Sequence, residues 1–177
     1  MAKPVGANRR VVKLGNPALR SACRPVEEIN DDVRRLIADL KRTMLEQEGL
    51  GLAANQIAES LAVFAVNPKG ADEENEPYCI INPRLVATEG SVEREEGCLS
   101  IPGVYDVIAR PEFVRVTGQD EEGNERTFEA TGMLARAFMH ELNHLEGRLF
   151  IDLLSPVRRK MLQSKLAEIE DRERAGT

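Results

Sequence analysis

His140 and His144 stand four residues apart, with Glu141 directly after the first, in Met139-His140-Glu141-Leu142-Asn143-His144. On a helix this spacing puts both imidazoles on one face, one turn apart, where two ring nitrogens can meet a single metal ion. Glu141 points about 100° away from His140, poorly placed to chelate beside both rings but able to reach a water on the ion. The plain alternative is a buried helix whose histidines only hydrogen-bond in the core, and a bare HExxH pattern does recur by chance. A count weakens it: these are the only two histidines among 177 residues.

Two imidazoles leave the ion short of a third protein ligand, and the residues alone leave that choice open. In the longer HExxHxxGxxH pattern Gly147 fits, but the third histidine position is Phe150, which cannot bind metal. Glu168 is a candidate from a later helix, although Arg158, Arg159, Lys160, Glu170 and Asp171 around it read as a solvated face. Cys98 is the other, in Glu96-Gly97-Cys98-Leu99-Ser100-Ile101-Pro102-Gly103. Gly97 permits close backbone approach, and Pro102-Gly103 ends the segment in a turn. Cys79 reads instead as a small core residue of an apolar strand, and Cys23 lies in a polar loop with no partner in view.

The element that must carry the histidines is a helix capped by Thr131 and ended by Gly147 in the left-handed conformation. Leu134, Phe138, Leu142 and Leu145 share one face, and Met133, Ala137, His140 and His144 the opposite one, so the helix is expected to be buried through much of its length. Earlier, Asn30 caps a helix whose apolar positions Val33, Leu36, Ile37, Leu40 and Met44 keep the helical period until near Gly49. A strand over Leu61 to Val66 follows, then a polar loop from Asn67 to Glu76. Cys79-Ile80-Ile81 and Leu85-Val86-Ala87 are strand pieces broken by Pro83, which suits an edge or a bulge. Val104 to Ile108 is another strand, and Phe113 to Thr117 pairs with Arg126 to Ala130 as a hairpin. Ser155-Pro156 opens a final helix with Val157, Met161, Leu162, Leu166 and Ile169 on its expected buried side. The class is α+β: mixed or antiparallel sheets packed around a central HExxH helix, with an N-terminal and a C-terminal helix.

A chain of 177 residues suggests one domain over 1–177, its C-terminal helix and tail from 155 onward. Hydrophobic content of 42% with 31% charged residues is that of a soluble globule, and no apolar run approaches a membrane span. A net charge of −6 argues against a protein whose whole surface is built for nucleic acid, DNA included, and leaves room for a local basic patch. Three cysteines make no disulfide framework, and Met1 to Arg10 lacks an apolar signal core, so a reducing cytoplasm is the expected setting.

One more stretch, Gly49-Leu50-Gly51-Leu52-Ala53-Ala54-Asn55-Gln56, has glycines at alternate positions without the Lys-Ser/Thr of a phosphate loop. Together with Glu96–Ser100 and His140–His144, in this order and spacing, it resembles the signature motifs of peptide deformylase, and the likeness extends over nearly the whole chain. The resemblance implies a metal held by Cys98, His140 and His144 with water in the fourth position. It implies Glu141 as the base and acid that activates this water against the formyl carbon of an N-formylmethionyl nascent peptide. Gln56 and the Leu99 N–H would stabilise the charged oxygen. Leu50, Gly51, Gly97 and Ala137 would receive the substrate. The donor set accepts zinc, nickel or cobalt, while the family favours Fe2+ in the cell. Arg158, Arg159 and Lys160, in the first turn of the C-terminal helix, read first as a solvated charge cluster, and the resemblance to the family's C-terminal helix offers the ribosome as an alternative partner. Two departures stand beside the ligands: where family members usually have glutamine and aspartate, this chain has Met139 and Asn143. Such positions tune ligand orientation rather than the type of reaction.

Overall fold

Val63-Phe64-Ala65-Val66 forms strand β2, and all four side chains are buried. A run without polar alternation needs cover on both faces. Val63 and Ala65 pack with Val33, Leu36, Ile37, Leu40 and Met44 of α1 (Asp31–Glu46). Phe64 and Val66 pack on the other side with Leu134, Ala135 and Phe138 of α2 (Gly132–Leu145). Asn30 caps α1, its side chain accepting from the Val33 N–H at 3.0 Å, and Asp31 and Asp32 place negative charge in the first turn, where the helix dipole favours it.

The computed structural model describes residues 2–176; Met1 and Thr177, the ends of the span expected as one domain, lie outside them. Five antiparallel strands make the main sheet, in the order β1 (Gly51–Ala53), β2, β3 (Tyr78–Glu89), β6 (Phe113–Gln119), β7 (Glu125–Thr131). A separate hairpin pairs β4 (Val92–Cys98) with β5 (Ile101–Arg110). The fold is therefore α+β with antiparallel sheets and three helices. A third apolar cluster joins Val12, Leu14 and Leu19 to Ile101, Val104 and Ile108 of β5, Phe150 and Ile151, and Leu166 and Ile169 of α3 (Pro156–Arg174).

Two local expectations change, and one strand was unforeseen. The two pieces around Pro83 are one strand, β3, lying inside the sheet between β2 and β6, so a bulge rather than an edge accommodates the proline. Register shifts there leave Asn82 at φ 51°, and its side chain bonds both the N–H and the carbonyl of Val26, at 2.7 and 2.8 Å. Strand β4 had no sequence signal, because Val92-Glu93-Arg94-Glu95-Glu96 has no alternating apolar face. On α3, Leu166 and Ile169 are buried and Leu162 packs against them, but Val157 and Met161 are largely exposed. At about 100° per residue both lie roughly 100° or more off the Leu162–Leu166–Ile169 stripe, and only that stripe meets the body. No helix among the described residues is long and apolar enough to cross a membrane.

Leu40 is fully buried between α1 and the sheet. Leu40→Ala should destabilise the fold by about 3 kcal/mol, by lost transfer energy plus a residual cavity, read as a lower urea midpoint at unchanged slope.

Candidate metal centre

Helix α2 brings His140 and His144 together, and the β4–β5 hairpin delivers Cys98 to them. The Nε2 atoms of the two histidines are 3.1 Å apart, and Cys98 Sγ lies 3.3 Å from His144 Nε2. All three ligand atoms fall within 4.8 Å of one another. A tetrahedral ion with bonds of about 2.0–2.1 Å to nitrogen and 2.3 Å to sulfur has ligand–ligand edges of about 3.3–3.6 Å. The donor set suits such an ion, the two distances to His144 Nε2 come close to these edges, and this is the metal-competent cluster found among the described residues. The other cysteines are set apart: burial pushes the Cys23 thiol up to about 11, and the fully buried Cys79 thiol higher still. Neither offers a ready thiolate.

The alternative ligands do not reach the site. Glu168 is exposed on α3 and paired with Arg172 on its own helix. Phe150 is fully buried, and its ring stacks on that of His140 with centroids 6.3 Å apart. The position that would hold a third histidine thus packs against the first.

His140 is oriented from behind. Its Nδ1 lies 2.8 Å from Glu96 Oε2, a partner that leaves Nε2 facing Cys98 and His144. Glu96 is itself buried, which works against its charge. Hydrogen bonds from His140 and from the Arg110 fork, at 2.8 and 3.1 Å, outweigh this and hold the carboxyl well below the usual carboxylate range. Burial pulls the His140 pKa down, but Cys98 and Glu96 beside it hold it well above the ordinary value. His144, buried without such a partner, is held well below. Its backbone carbonyl accepts from the Asn55 side chain, which ties the end of α2 to the short 3-10 turn Ala54–Ile57.

That turn also sets Gln56. Its Oε1 accepts from the Ala53 N–H at 2.9 Å, so Nε2 points the other way, 3.1 Å from Ser100 Oγ and 3.7 Å from Cys98 Sγ. The residues between Gln56 and Cys98 in space are strapped by the N-terminal segment: the Val12 N–H donates to the Gln56 carbonyl, and the Leu14 N–H to the Ser100 carbonyl. Leu99 sits in the tight turn between β4 and β5.

A cleft of about 540 Å³ runs over these groups, lined by Leu50, Gly51, Gln56, Gly97, Cys98, Leu99, Ala137, His140 and Glu141. Both glycines leave space that a neighbouring side chain occupies. A Cβ on Gly51 would lie 2.7 Å from Glu141 Oε1, and one on Gly97 would lie 2.5 Å from the Tyr105 ring. Glu141 is buried, with Oε2 lacking any partner, and burial pushes its carboxyl up to about 7. A cation on the neighbouring ligands would pull it back down.

Residues 8–160 match the sequence profile of a family described as polypeptide deformylase. The chain belongs to this family. It is 43% identical over 150 residues to the peptide deformylase of Syntrophobacter fumaroxidans, covering 85% of this chain and 88% of that protein. It is 38% identical over 166 residues to that of Acinetobacter baumannii, covering 93% of each. The crystal structure of a peptide deformylase from Legionella pneumophila superposes with a TM-score of 0.86 at 38% identity, over 93% of this chain and 96% of that one.

Sequence reasoning about this deformylase-family chain missed Glu96, Arg110 and Asn55. Glu96 stood beside Cys98 in the quoted motif, but a glutamate in a run of charges reads as solvated. Only its burial shows that it is not. Glu96→Gln should weaken binding of Co2+ about 10- to 100-fold, measured by competition with a chromophoric chelator; affinity equal to that of the unaltered protein would contradict the role assigned to this carboxylate.

Proposed function

We propose that this chain is a metal-dependent hydrolase that removes the formyl group from the N-terminal formylmethionine of new polypeptides and releases formate. The observation that carries the reading is the meeting of Cys98 Sγ and two imidazole Nε2 atoms beside the buried Glu141 carboxylate, in a chain of the deformylase family. Cys98, His140 and His144 would hold a divalent ion, which would supply a Lewis acid and a water acidic enough to attack near neutral pH. Fe2+ is the ion proposed for the cell; Zn2+, Ni2+ and Co2+ accept the same donors.

Glu141 takes a proton from the attacking water and returns it to the departing amine as the C–N bond breaks, leaving formate and a free methionine amine. Its unpartnered Oε2 supports this role, since a buried carboxylate oxygen without a donor has capacity for a proton. Negative charge develops meanwhile on the formyl oxygen. Gln56 Nε2, already beside Cys98, and the Leu99 N–H are the donors proposed to meet it. Strands β1 and β4 each pair on one side only, so Gly51 and Gly97 present open backbone edges to the cleft. An extended peptide can add to such an edge. Leu50 and the small Ala137 leave room for the methionine side chain.

In this reading residues 1–177 act as one catalytic unit around the HExxH helix, in the cytoplasm, with formylated nascent chains as partners and neither DNA nor membrane. Contact with the ribosome through α3 has weaker support. Arg158 is paired with Asp106 at 2.8 Å, and Arg159 shares Asp152, at 3.1 Å, with Arg20 at 2.6 Å, so part of the basic cluster is already engaged within the chain.

Iron-loaded protein should release formate from formyl-Met-Ala-Ser and none from acetyl-Met-Ala-Ser; no formate from the first would refute the assignment. Glu141→Gln should keep its metal content and lose about 10²- to 10⁴-fold in kcat, assayed by formate release together with elemental analysis. Gln56→Ala should lower kcat about a hundredfold, some 3 kcal/mol of transition-state stabilisation, with KM changed far less.

A further inference from the structure

Arg136 stands one turn before His140 on α2, buried, and forms part of the cleft wall. Its Nη1 donates to Glu96 Oε1 at 3.0 Å and to the Ile108 carbonyl at 2.9 Å, and its Nη2 donates to the Val92 carbonyl at 2.7 Å. Val92 belongs to β4 and Ile108 to β5. One helical side chain therefore clamps both strands of the hairpin and the carboxylate that faces His140.

Arg110 already grips that carboxylate, with Nε on Oε1 and Nη2 on Oε2, while its Nη1 reaches Asn143 Oδ1 at 2.6 Å. Asn143 is neutral, so two guanidinium groups face a single carboxylate. Glu96, Arg110 and Arg136 together carry one positive charge in excess, in a setting where burial penalises charge. The bonds of Arg136 to the Val92 and Ile108 carbonyls tie the hairpin to α2, and its further bond bears on the carboxylate itself. Oε2 faces His140 Nδ1 while Oε1 is held from two sides, by Arg110 Nε from β5 and by Arg136 Nη1 from the helix that carries His140.

We propose that Arg136 is a positioning residue for the metal ligand His140, acting through Glu96 to aim the imidazole so that Nε2 faces Cys98 and His144. The proposal rests on the metal reading of those three ligands but not on which bond is hydrolysed. Two effects of Arg136 on a cation oppose each other, since its charge repels while its hydrogen bonds orient. Arg136→Lys keeps the charge and loses the planar fork, so it isolates orientation.

The test is Co2+ binding to the full chain by chelator competition, with the visible absorption of the bound ion as a report on ligand geometry. The unaltered protein should bind one Co2+; if it binds none, the metal reading fails and this proposal with it. Arg136→Lys should bind Co2+ about tenfold more weakly, with a shifted absorption band. Unchanged affinity and an unchanged band, with only a lower unfolding temperature, would reduce Arg136 to a structural role and overturn the proposal. Should the lysine variant not fold, Arg136→Gln decides by sign. It tightens Co2+ binding if charge is all that Arg136 contributes, and weakens it if orientation dominates.

Discussion

A carboxylate in a dry interior stays ionised only where donors surround it. Glu96 is that carboxylate here, and the arrangement around it couples the parts of the fold that matter for chemistry. Its donors come from α2, through Arg136 and His140, and from β5, through Arg110, while Glu96 itself belongs to β4. The helix with two of the candidate ligands and the hairpin with the third thus meet at one side chain. Direct bonds from Arg136 to the Val92 and Ile108 carbonyls and from Arg110 to Asn143 reinforce the same junction.

The remaining constraint is access. The proposed reaction needs a peptide backbone to come close to the three candidate ligands, and bulk at either wall would prevent it. Gly51 leaves the space into which Glu141 projects, and Gly97 leaves the space over which Tyr105 lies. The N-terminal segment completes the arrangement: the N–H groups of Val12 and Leu14 hold the carbonyls of Gln56 and Ser100, residues 44 positions apart that bond through Gln56 Nε2 and Ser100 Oγ. A stretch with no regular secondary structure therefore fixes the donor proposed for the developing charge.

Much of this was legible along the chain. The 3.6-residue period of Val33, Leu36, Ile37, Leu40 and Met44 places α1, and the caps at Asn30 and Ser155 mark where α1 and α3 begin. The unbroken apolar run of β2 reads as a strand because cover on both faces removes the need for alternation. Strand β4 was illegible for the opposite reason. Its charges look solvated, and only pairing to β5 and the burial of Glu96 beneath α2 say otherwise. Val157 and Met161 misled because the width of the stripe an apolar helix face buries depends on what packs against it.

The sequence by itself determined the local chemistry: which residues could bind a divalent metal, which carboxylate stands beside them, and which helix carries two candidate ligands at a fixed spacing. These follow from short-range geometry, where a side chain's direction depends on its own backbone. The residues alone left Cys98 and Glu168 both open and the family resemblance favoured Cys98; tertiary structure brings Cys98 to the histidines, leaves Glu168 outside, and shows Glu96, Arg110, Arg136 and Asn55 packed behind them. Those contacts join residues as many as 89 positions apart. Their burial, which turns an ordinary charge into one that must be partnered, exists only once the chain has closed.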